Sequence, residues 1–153
     1  MIAAALRHAA GSARNAGVAL CLVLFASPVA ADGKSYLEVS PHGRADLEAL
    51  MTTLEGYLDR GLPMNDPVIV ILHGSEADSF TSRGYERNRM LIDRAALLSA
   101  YELLDFRMCE TWMSENDVQR DDLPAFIETV PFAPEEVERL EAEGYTSANG
   151  LSI

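Results

Sequence analysis

Pro67-Val68-Ile69-Val70-Ile71-Leu72, followed at once by His73-Gly74-Ser75-Glu76-Ala77-Asp78-Ser79-Phe80-Thr81, decides the fold. The first six residues form an unbroken apolar run, rich in β-branched side chains and too short for a helix of its own. Such a run is typical of a parallel strand covered on both faces, so it is assigned as the central strand. The polar stretch after it falls beyond the carboxyl end of that strand, where α/β sheets place their ligands.

Upstream, Tyr36-Leu37-Glu38-Val39 alternates as a short strand. Leu47, Leu50, Met51, Leu54 and Leu58 then recur at helical spacing. Gly61 and Pro63 stop that helix near Arg60. Downstream, a long helix is expected from about Gly84 to Leu104, with its second half from Ala95 apolar almost all round, a pattern that calls for burial between layers or for a subunit interface. Asp105–Cys109 reads as the third strand, Glu110–Asp117 as a turn with a short helix, and Phe126–Val130 as the fourth strand. A helix follows from Pro134, with Pro and acids in its first turn. Gly144 closes it, and 145–148 is a final edge strand. Strands separated by helices of crossover length predict an α/β three-layer sandwich with a mainly parallel sheet of about five strands.

The 153 residues carry 24 acidic and 12 basic side chains, a formal charge of −12. No acid occurs before Asp32, so removing Arg7 and Arg14 with that segment leaves −14. A field of this sign excludes coating of nucleic acid and disfavours anionic lipid surfaces. Residues 1–31 read as a cleaved signal peptide: Arg7, His8 and Arg14 form a positive start, Ala16–Ala26 an apolar core, and Pro28-Val29-Ala30-Ala31 a small-residue cleavage site. Cys21 would suit lipid attachment, but Leu20 precedes it where a small residue is wanted. The expectation is therefore a periplasmic product, residues 32–153 forming one domain, with no membrane span after cleavage.

Export makes the remaining thiol conspicuous. Cys109 has no partner cysteine in residues 32–153, and in an oxidising compartment a lone thiol is either buried and inert or kept for chemistry. Its predicted place, at a strand end and a helix start, puts backbone N–H groups near a thiolate, while Glu110 and the net charge oppose one. His73 follows the central strand and could act as base or orient a ligand in the same crevice, or simply bond to loop backbone. Cys109 and His73 are the candidate catalytic pair. His73, Glu76 and Asp78 form a weak set of metal ligands, and no metal or cofactor is expected. Arg83, Arg87 and Arg89 could hold an anion but suit surface ion pairs better. Trp112 and Met113 suit either a pocket wall or the core. No G-x-S-x-G, G-x-G-x-x-G or P-loop is present.

The stretch from Arg107 to Tyr145 has a strand ending in Cys109, a short helix, Asp121-Asp122-Leu123-Pro124, the Val130-Pro131 strand end, a helix bearing Val137, Arg139 and Leu140, and then Glu143-Gly144-Tyr145. It resembles the DsrE/DsrF-like family of small sulfur-relay proteins, and Val68–Leu104 is similar to the same pattern. The resemblance implies a DsrE-like fold, homo- or hetero-oligomers, and a persulfide on Cys109 exchanged with a sulfur donor or acceptor protein. On this reading the chain is at most a sulfurtransferase-like carrier. The alternative is a non-catalytic oligomeric binding module in which Cys109 is buried and inert.

Overall fold

The computed structural model describes residues 33–39 and 43–148. The expected signal peptide at 1–31 lies outside the described residues. The elements follow in the order β1 (Ser35–Val39), α1 (Arg44–Asp59), β2 (Val68–Leu72), a 3-10 turn (Ser75–Phe80), α2 (Ser82–Ala100), β3 (Leu104–Cys109), α3 (Glu110–Glu115), a second 3-10 turn (Arg120–Asp122), β4 (Ile127–Val130), α4 (Ala133–Ala142) and β5 (Thr146–Ser147).

The strands form one sheet in the order β4-β3-β2-β1-β5, with every pairing parallel. β2 is the middle strand, and all five of its residues are buried. That is the environment its β-branched run demands, since neither face offers water to a polar side chain.

The register assigns the faces. Leu104, Phe106 and Met108 share one side of β3, paired with Val68, Val70 and Leu72 of β2. This side is the main apolar core, where the Phe106 ring meets those of Phe80 and Phe126 at 5.4 and 5.6 Å. On the opposite side lie Tyr36 and Glu38 of β1, Ile69 and Ile71 of β2, and Asp105, Arg107 and Cys109 of β3. The Tyr36 hydroxyl donates to Glu141 of α4 (2.8 Å), and Arg107 donates to Glu136 of α4, so α4 covers that side. Right-handed crossovers from β1 to β4 put α1, α2 and α3 on the apolar side, and the return to β5 puts α4 alone on the other. The result is a three-layer α/β sandwich with two unequal outer layers.

Two boundaries differ from the sequence reading. The loop after β2 is not an open polar segment: it winds into a 3-10 turn that buries Glu76, Ala77 and Phe80. The helix expected to reach Leu104 ends at Ala100, because Glu102 turns the chain at φ +57° and Leu103 and Leu104 deliver their apolar bulk to β3 instead. The apolar second half of α2 is covered on one side only. Ala95 and Leu98 are buried, whereas Leu97 and Tyr101 are exposed. Gly61, at φ +61°, ends α1 in the left-handed conformation expected of it.

Candidate functional site

β2 and β3 run in register from Val68 beside Leu104 to Leu72 beside Met108. One residue further along each chain stand His73 and Cys109. Adjacent strands lie about 4.8 Å apart, so the two side chains are neighbours at the carboxyl edge of the sheet, on the α4 side. Both line a pocket of about 200 Å³, walled also by Thr111, Trp112 and Glu115 of α3 and by Phe132, Ala133 and Pro134 at the start of α4. His73 and Cys109 thus line one crevice.

Cys109 is 3% exposed and is a free cysteine. Half-exposed Phe132 gives the pocket an apolar rim, and Trp112 packs against the same space from the core. Cys109 precedes α3 with extended backbone and makes no side-chain capping bond to it. α3 has only six residues, so its dipole is short and contributes little to a thiolate. Glu110 is turned away from the strand end: its Oε1 accepts from Thr129 Oγ1 on β4 at 2.7 Å.

His73 has a neighbour that the sequence did not announce. Glu38 of β1 places Oε1 2.9 Å from His73 Nε2. The approach is close but out of line with the ring N–H, which leaves buried Nε2 without a well-directed hydrogen bond. Glu38 lies on the same sheet side as His73 and Cys109 but two residues short of their level, beside Ile71 and Arg107, so the carboxylate reaches the imidazole diagonally. Phe132 was likewise unforeseen as a pocket wall.

The other candidates are dispersed. Glu76 folds back so that Oε1 accepts from Gly74 N at 2.9 Å, and Asp78 pairs with Arg83 at 2.7 Å and Arg87 at 3.6 Å. His73, Glu76 and Asp78 therefore do not converge, and among the described residues no group of three His, Cys, Asp or Glu side chains is placed to hold a metal ion. Arg89 pairs with Asp93, so the arginine cluster is committed to ion pairs. Trp112 meets the pocket, while Met113 joins the core. A larger pocket of about 490 Å³ surrounds the break in α2 at Asn88. Its arginines are already engaged: Arg44 with Glu48 and Asn88, Arg94 with Glu55 and Thr52.

Behind the pocket, α4 is fastened by charge. Arg107 donates to Asp105 and to Glu136, and Arg139 donates to both oxygens of Glu136. The Arg139 hydrogen bond, opposed by burial and helped by Arg107, holds the Glu136 carboxyl below its ordinary range. Burial works against the Arg107 charge, but its bonds to Asp105 and Glu136 outweigh that and raise its pKa.

No protein-family model and no curated protein matches the chain. The chain is similar in structure to MTH1491 from Methanobacterium thermoautotrophicum, a protein of unknown function, with a TM-score of 0.60 and 12% identity over 76% of this chain and 97% of that one. At that identity the likeness concerns the fold: the protein is an α/β three-layer sandwich built on a parallel five-stranded sheet.

Proposed function

We propose that this protein is a sulfur carrier of the DsrE/DsrF-like kind, holding sulfane sulfur as a persulfide on Cys109. The observation that carries this reading is the shared pocket of Cys109 and His73 at the carboxyl edge of the sheet. In the transfer step the Cys109 thiolate attacks the outer sulfur of a donor persulfide. A new S–S bond forms at Cys109, the donor's S–S bond breaks, and its electron pair leaves with the donor thiolate, so no external oxidant or reductant is needed. His73 takes the thiol proton beforehand.

The setting we propose is the periplasm, after cleavage behind Ala31, with material from that fraction beginning at Asp32. We also propose a homo-oligomer. Met90, Leu97 and Tyr101, exposed by 81%, 46% and 58%, recur at seven- and four-residue steps and mark one apolar stripe along α2. Light scattering should return a multiple of the chain mass, and a monomer would contradict it.

Intact mass after incubation with excess polysulfide tests the function. Additions of about 32 Da per sulfur atom, present in wild type and absent from Cys109→Ser, are the expected result. The burial of Cys109 favours a second reading, an inert thiol in a non-catalytic binding module. Wild type that gains no mass until denaturant is added would establish that reading instead.

A further inference from the structure

We propose that Glu38 is the positioning residue of this site, orienting His73 so that the imidazole serves Cys109. The inference rests on Cys109 being a working thiol, and it adds a residue and a regulation to it. Three observations converge. Glu38 on β1, His73 just past β2 and Cys109 at the end of β3 lie on one side of the sheet. Glu38 Oε1 is 2.9 Å from His73 Nε2. That nitrogen is buried and lacks a well-directed partner, so Glu38 is the acceptor that a modest turn of the ring would satisfy.

The consequence is a division of labour between the two ring nitrogens. With Nε2–H directed at Glu38, Nδ1 is the nitrogen left to take the thiol proton. Proton transfer leaves an imidazolium held between thiolate and carboxylate, with no change in net charge and no electron transferred. Among the described residues the ionisable groups near His73 are Glu38 from β1, Cys109 from β3, Glu115 from α3 and, within its own loop, Glu76, whose Oε1 accepts from Gly74 N while its buried Oε2 has no hydrogen-bond partner. The start of α4 brings only Phe132, Ala133 and Pro134, and Arg107 is spent on Asp105 and Glu136. Among the described residues the imidazolium is therefore the positive charge that shares the pocket with a Cys109 thiolate, and Glu38 is the carboxylate against its Nε2.

The test is the pH profile of native Cys109 alkylation by iodoacetamide in the signal-free protein, for wild type, Glu38→Gln, Glu38→Asp, His73→Gln and the Glu38→Gln/His73→Gln double variant. Glu38→Gln should move the midpoint upward by roughly one pH unit, a roughly tenfold loss of rate on the acid side. Glu38→Asp should restore most of it, and the double variant should be no slower than His73→Gln alone. A Glu38→Gln profile superimposable on wild type, or losses that multiply in the double variant, would overturn the proposal. Nitrogen NMR of wild type gives an answer that needs no folded variant. Neutral His73 should carry its proton on Nε2, and a proton found on Nδ1 would refute the assignment. Because alkylation needs no sulfur, failure of sulfur loading with these profiles intact would sink only the carrier reading.

Discussion

Replacing Glu136 with Gln removes the charge by which α4 is held on the sheet, and the structure sets the size of the effect. Glu136 is 8% exposed and accepts from Arg107 and Arg139. Stripping one partner from a buried ion pair costs about 3–5 kcal/mol. The figure here is smaller, because Arg107 keeps Asp105, and Arg139, about half exposed, keeps Glu143. About 2 kcal/mol remains, a fall in Tm of roughly 8 °C for a domain of this size. The pH dependence has a definite sign. The folded carboxyl is depressed, so its contribution is fully present above the ordinary carboxylate value of about 4.3 and disappears as pH falls through the folded value. Wild type and Glu136→Gln should thus differ most near neutrality and converge in acid. Ala133 and Pro134 of α4 wall the pocket, so a loosened α4 should also quicken native alkylation of Cys109. Urea unfolding at pH 7 and pH 3 measures the first effect, and a variant within 0.5 kcal/mol of wild type at pH 7 would show that the buried pair does not hold α4.

Phe106→Ala should cost about 3–5 kcal/mol, since the ring is fully buried between Phe80 and Phe126; chemical denaturation measures it. Gly84→Ala should cost more than about 2 kcal/mol, because an added Cβ would stand 2.0 Å from the Asp78 carbonyl oxygen in the backbone of the turn; thermal unfolding checks this. Cys109→Ala should unfold within about 1 kcal/mol of wild type while losing all alkylation, and a loss of several kcal/mol would instead assign Cys109 a packing role.

The fold was readable where one physical cause acted alone. Five consecutive buried positions in β2 required a β-branched run, and Gly61 was required by a left-handed turn. The end of α2 was not readable, because Leu103 and Leu104 look the same whether an apolar segment continues a buried helix or begins a buried strand. Only the turn at Glu102 separates the two. The loop from Ser75 was misleading for another reason: its acid bonds to its own backbone, a local contact that composition does not encode.

The site divides in the same way. His73 and Cys109 each follow an apolar strand, so their place at the sheet edge could be argued from the chain. Glu38 could not, since it looked like the polar half of an alternating strand. Its meeting with His73 depends on the β1–β2 register, which sets Glu38 beside Ile71 and is fixed by tertiary packing.

The most direct test of sulfur carriage is the sulfane sulfur that stays with the protein after polysulfide treatment and desalting, measured as thiocyanate released by cyanide. Carriage on Cys109 predicts about one sulfane sulfur per chain for wild type and none for Cys109→Ser, with both proteins folded. Equal amounts on the two proteins, or none on wild type, would contradict it.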